Sequence, residues 1–250
     1  MGRSEQLGSS RVPAGRSSFA TTQWSVVRAA GRATGAESRD ALATLCGKYW
    51  YPLYAFARRR GLSAEQAADI TQGFFARLLE QKIVRGADPR RGKFRSYLLG
   101  AFKHFQSHEW CRDRAQKRGG GRKLVPLDPR DAENRYNLEP SHDLTPERVF
   151  ERQWAMTVLE LALEELRRQC ARDGKEETFF RFKQFLSGGT GEAYQEAGEA
   201  MGMNEGAVRV LVHRLRKRYR ELLRDHIRRT VESEEEVEDE IQHLFTAIGS

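Results

Sequence analysis

Apolar residues recur along this chain at intervals of three and four. No segment shows the strict apolar/polar alternation of a half-buried strand. The clearest stripe is Leu42, Leu45, Tyr49, Leu53 and Phe56, within a helix expected from Ser38 to Arg60. A chain patterned this way buries its apolar surface by packing helix on helix, so the expected fold class is all-α. Further helices are expected near Thr22 to Ala30, from Ala64 to Gln81 with Ser63 as its N-cap, and from Phe94 to Arg114. Asp88-Pro89-Arg90-Arg91-Gly92 is expected as a loop.

The periodicity collapses between Gln116 and Thr145, where Gly119-Gly120-Gly121, Pro126, Pro129, Asn134, Asn137 and Pro140 accumulate. This stretch reads as a flexible linker (residues 116–145) between two small helical domains, residues 19–115 and 146–229. The second domain opens on a helix from Pro146 to Ala171 that buries Val149, Trp154, Val158, Leu161 and Leu166. Phe179, Phe180, Phe182 and Phe185 complete its core. Residues 1–18 are rich in Ser, Gly and Arg and lack an apolar h-region. They read as a disordered leader rather than a secretory signal, although a transit peptide has a similar composition. Residues 230–250 form an acidic tail: Glu232, Glu234, Glu235, Glu236, Glu238, Asp239 and Glu240 precede an apolar patch of Ile241, Leu244, Phe245 and Ile248.

Charge narrows the function classes. The chain holds 43 Lys and Arg against 35 Asp and Glu, a formal net charge of +8, which favours an acidic partner. No apolar run approaches the ~20 residues that span a bilayer. Cys46, Cys111 and Cys170 are far apart and have no zinc-ligand spacing, which fits reduced thiols in a cytoplasmic protein. The six His residues form no catalytic order. Gly119-Gly120-Gly121 lacks the strand and the Lys-Ser/Thr of a phosphate loop, and is expected to be a hinge. His104 and His108 stand four apart without a third metal ligand, so a solvated or DNA-facing pair is expected. No catalytic residue, cofactor or metal is expected, and the chain is not expected to be an enzyme.

Two stretches point to nucleic acid. Glu192 to Met201, a turn containing Gly202, and Asn204 to Arg218 read as a helix-turn-helix whose second helix suits a DNA major groove. Val208, Val212, Leu215 and Tyr219 form its buried face. Asn204, Glu205, Arg209, Val210, His213, Arg214, Arg216 and Lys217 are the candidate duplex contacts. Gly198, inside the first helix, costs about 1 kcal/mol against Ala, which close approach of the second helix would justify. The other stretch, Phe94 to Arg114, interleaves basic residues with aromatics, a combination suited to single-stranded DNA. Its candidate contacts are Arg95, Lys103, His104, His108, Trp110, Arg112 and Arg114. Phe94, Leu98 and Phe102 are expected to be buried.

Over about Ser38 to Arg224, apart from the linker, the chain resembles the extracytoplasmic-function (group 4) sigma factors of bacterial RNA polymerase, with an ending most like planctomycete-type sets. Phe94-Arg95-Ser96-Tyr97-Leu98 resembles the family's Phe-Arg-x-Trp-Leu, which opens the helix that binds the −10 promoter element. Tyr194 to Arg218 is similar to its −35-reading helix-turn-helix. Gln66 to Phe75 aligns with its polymerase clamp-binding signature. The resemblance implies polymerase contacts at Asp69, Gln72, Phe75 and Leu79. The implied partners are core RNA polymerase, through its clamp helices and flap, and promoter DNA, with an anti-sigma factor or a Ser/Thr kinase as regulator. No membrane partner is expected.

The chain departs from the family pattern in two places. Three acidic positions of the clamp signature have become Gln66, Ala68 and Gly73. Either the apolar contacts of Ile70, Phe74 and Phe75 suffice there, or phosphorylation of Thr71 restores charge. Val210 and Leu211 replace a polar and a basic residue of the recognition helix. They are expected either to touch thymine methyls or to dock Leu244 and Phe245 of the acidic tail. The alternative function is a stand-alone helix-turn-helix regulator that binds duplex DNA without polymerase.

Overall fold

The computed structural model describes residues 36–79, 93–113, 129–138, 144–188, 191–231 and 233–249. The expected leader, the helix near Thr22, the loop at residues 88–92, the Gly119-Gly120-Gly121 hinge and Arg114 lie outside the described residues. The side chains of Leu79, Trp110 and Arg112 do too.

Among the described residues the fold is all-α, with nine α-helices and no strand: α1 (Ala36–Arg59), α2 (Ala64–Leu79), α3 (Phe94–Asp113), α4 (Pro129–Asn137), α5 (Pro146–Arg172), α6 (Glu176–Phe182), α7 (Gly191–Glu199), α8 (Glu205–Arg228) and α9 (Glu235–Gly249). A 3-10 turn, Lys183–Leu186, follows α6.

Local chemistry explains the helix starts. Ser63 Oγ accepts from the Gln66 amide at 3.2 Å, and Gln66 Oε1 accepts from the Ser63 amide at 3.0 Å, a reciprocal capping box ahead of α2. Thr145 caps α5, with Pro146 in its first turn.

Two apolar cores form. The larger takes side chains from α1 to α4, from the first half of α5, from the end of α8 and from α9. Trp50, Phe56, Phe74, Phe94, Phe102 and Trp154 are fully enclosed in it. The smaller joins Leu166 and Cys170 at the end of α5 to Phe179, Phe182, Phe185, Tyr194, Val208, Val212 and Leu215. Helices α5 and α8 thread both cores, and Tyr219 and Leu222 pack against each. Phe94, Leu98 and Phe102 are buried as expected, whereas Phe180 is half exposed and Leu161 only partly buried.

Two expectations are corrected here. The stretch read as a flexible linker contains α4. Glu133 on α4 accepts a fork from Arg58 (2.9 and 2.7 Å) and the Tyr54 hydroxyl at 2.6 Å, and the Arg135 guanidinium lies over the Tyr51 ring. Arg59 then donates to the Leu144 carbonyl at 2.7 Å. The stretch read as an acidic tail likewise contains a helix, α9, that packs on the fold. Glu235, Glu236 and Glu238 occupy the first turn of α9, where the helix dipole favours carboxylates, and Val237, Leu244 and Ala247 are buried in the larger core.

The junction of α1 with the end of α8 carries unusual charge. The Lys48 ammonium is buried and has no hydrogen-bond partner among the described residues. Burial, then repulsion from Arg229, lowers its pKa to about 8. Burial, then Lys48 and Arg229, lowers His226 to about 4. Because the folded state disfavours the imidazolium, the unfolded chain binds more protons between pH 6.5 and about 4. Stability must therefore rise with pH through that window. With His226 partly solvated, the loss on acidification is expected to be roughly 2 kcal/mol. Urea titrations across the window should show that loss in wild type and not in His226→Gln.

Candidate nucleic-acid interface

The candidate duplex-facing surface is built where α7 meets α8. Gly202, at φ +65°, turns the chain between them, and the Met203 amide donates back to the Gly198 carbonyl at 2.9 Å. A Cβ on Gly198 would stand 2.6 Å from the Met203 carbonyl oxygen and 3.2 Å from Val208 Cγ2, so only glycine lets the two helices approach this closely. Asn204 Oδ1 accepts from the Ala207 amide at 2.8 Å and caps α8.

Below α8, Val208, Val212 and Leu215 are buried, and Tyr219 is partly so. On the opposite face Arg209, Val210, His213, Arg214 and Lys217 are exposed. An open groove of about 420 Å³ runs between Tyr194 and the Arg209, Val210, His213 and Arg214 side chains. Glu205 pairs with Arg209 at 2.5 Å, and that guanidinium also lies over the Tyr194 ring. Arg220 continues the exposed basic face one turn beyond Lys217, because α8 runs to Arg228 rather than ending at Arg218. Its i+3 spacing from Lys217 was the available signal.

Several candidate contacts are employed inside the fold instead. Arg216 donates to the Phe185 carbonyl at 2.9 and 2.7 Å and to the Tyr194 hydroxyl at 3.2 Å, which ties α8 to the turn after α6. On α3, Arg95 is only 4% exposed. Its Nε donates to Glu151 at 2.6 Å, its Nη1 pairs with Glu240 of α9, and its guanidinium lies over the Trp154 ring. Lys103 pairs with Glu147 of α5 at 2.6 Å. In this arrangement Arg95 is enclosed and cannot reach single-stranded DNA, whereas Lys103 is half-exposed within its pair. Both look free in the sequence because the acids that hold them lie more than forty residues away. His104 and His108 are exposed, their rings 4.4 Å apart.

On α2, Asp69 is exposed and Gln72 partly so, while Phe75 is fully buried and edge-packed on Phe74. Phe75 is thus a core residue with no exposed surface in this fold, because the helix turns it and Phe74 inward together. The substituted acidic positions have structural uses, Gln66 in the capping box and Ala68 in the core. Thr71 is wholly buried and donates to the Ala67 carbonyl at 2.7 Å, so a kinase has no access to it in this fold.

The acidic segment does not cover Val210. Glu234 and Glu238 pair with Arg228 and Arg224 at the other end of α8, at 2.6 Å each. Leu244 is buried in the larger core, Phe245 is exposed, and Leu211 packs on the smaller core. Val210 is 52% exposed.

No protein-family model, curated protein or solved structure matches this chain. Among the described residues no group of three or more His, Cys, Asp or Glu comes together to hold a metal, and no helix is long and apolar enough to cross a membrane.

Proposed function

We propose that this chain is a DNA-binding transcription factor whose α7–turn–α8 unit is a helix-turn-helix that places α8 in the major groove. Its most specific form is a sigma factor that directs RNA polymerase to promoters. The observation that carries the DNA reading is the exposed face of α8: Arg209, His213, Arg214 and Lys217 around Val210, on a helix anchored by Val208, Val212 and Leu215. Cations there suit phosphates and guanine acceptors, and Val210 suits a thymine methyl. The sigma reading rests on the resemblance of residues 66–75 and 94–98 to that family's signatures. In it, α2 meets the polymerase through Asp69 and Gln72, and no covalent chemistry belongs to this chain.

The burial of Phe75 and Arg95, and a core shared between the two halves, favour a second reading: a stand-alone regulator that binds duplex DNA as one compact body. Mixing the full chain with core RNA polymerase and promoter DNA separates the two. Promoter-specific transcripts support the sigma reading, and their absence alongside tight duplex binding supports the stand-alone one.

For the shared DNA reading, the Arg214→Ala/Lys217→Ala double variant should keep its helicity and lose roughly 10- to 100-fold in duplex affinity, and its salt slope should fall by about two. Unchanged duplex binding would remove α8 as the interface.

A further inference from the structure

Glu240 is a carboxylate buried to 1% exposure against two cations from a distant part of the chain. One of its oxygens pairs with Arg95 Nη1. The other lies 2.5 Å from Lys93 Nζ, just ahead of α3. Glu151 extends the cluster, accepting from Arg95 at 2.6 Å and meeting His243 Nε2 of α9 at 3.0 Å. Three helices therefore meet through charge here: α3 supplies the cation, α5 a carboxylate and α9 the enclosed carboxylate.

Desolvating such a pair is costly, and apolar side chains of similar volume often do as well or better, so stability alone is a poor reason for it. A carboxylate whose two oxygens bridge an arginine and a lysine resembles in shape and charge two oxygens of a phosphodiester, for which the guanidinium fork is equally suited. The helix that brings Glu240 is suited to leaving. Helix α9 has 15 residues, near the length at which isolated helices are marginal. Beyond the Glu240 and His243 contacts just described, it is held by three buried apolar side chains, Val237, Leu244 and Ala247, by partly buried Ile241 and Ile248, and by a surface ion pair from Glu238 to Arg224, with Glu234 just ahead of it paired to Arg228.

We propose that Lys93 and Arg95 form a nucleic-acid phosphate site that Glu240 fills in the closed chain, and that release of α9 exposes it. This rests on the DNA-binding reading above and adds to it a second, internally blocked contact separate from α8. Glu240 excludes the nucleic acid as a competing anion, and Lys103, held by Glu147, is the next cation on the same helix.

The test uses the full chain and a fluorescein-labelled oligothymidylate followed by anisotropy. Glu240→Gln should raise oligothymidylate affinity at least about tenfold, and adding Arg95→Gln should abolish the gain. Unchanged affinity in a folded Glu240→Gln chain overturns the proposal. If that variant does not fold, hydrogen exchange on wild type decides. Saturating oligothymidylate should speed exchange across residues 235–249, and unchanged exchange, or no binding, overturns it. Failure of the two readings is distinguishable. Duplex binding that depends on Arg214 and Lys217 while oligothymidylate ignores Glu240 sinks the blocked site alone. A Glu240 effect without duplex binding sinks the α8 reading alone.

Discussion

Arg95→Met is expected to destabilise the chain by about 3–5 kcal/mol, because it takes the guanidinium from the buried Glu240 carboxylate and leaves only Lys93 beside it, in a site it cannot leave without unpacking α9. Methionine keeps much of the arginine's volume over Trp154, so lost packing is a minor part of the change. The proof lies in the second substitution. In Arg95→Met/Glu240→Leu no charge is left enclosed at that contact, and Glu151 keeps both solvent access and its contact with His243. The double variant should recover most of the loss in urea denaturation. Two additive losses would mean that the pair's charges do not act on one another.

The second large effect belongs to Gly198. In an open helical position, Gly→Ala gains up to about 1 kcal/mol, and Gly100 on α3, with no atom near its missing Cβ, should show that gain. At Gly198 the same methyl meets a backbone carbonyl at 2.6 Å, which cannot swing aside as a side chain can. Gly198→Ala should therefore lose about 1–3 kcal/mol, and Gly198→Val more. Because the strain falls on the turn that sets α8 against α7, duplex affinity should fall as well, even where thermal melts show the remainder folded. A neutral Gly198→Ala in both assays would mean that the turn adapts.

How much of this was legible in advance depended on the range of the interaction. The helices among the described residues, the buried face of α1 from Leu45 to Phe56, the buried face of α8, the Ser63 cap and the close approach at Gly198 follow from neighbours within a few residues, and sequence spacing encodes those directly. Two local signals were present but overridden by composition. Pro129 is a helix-opening residue inside a Gly- and Pro-rich stretch, and Ser233-x-x-Glu236 ahead of an apolar run has the capping-box pattern. The Ser233 hydroxyl indeed accepts from the Glu236 amide, at 3.4 Å. What spacing could not encode was which exposed-looking cation meets a distant acid. Arg95, Lys103 and Arg216 have the same composition as a nucleic-acid surface, and only the packing of α5, α9 and the turn after α6 sets them apart from Arg214 and Lys217.

Because α5 contributes Val149, Phe150, Trp154 and Val158 to one core and Leu166 and Cys170 to the other, the chain has no convenient place to be cut. A fragment beginning at Leu144 would carry an indole and several branched side chains into water, a contiguous greasy face of the sort that drives self-association. A fragment ending at Asn137 would lack α5, the helix packed most extensively on α1. Biochemistry on half-molecules would then report on adhesion rather than on recognition.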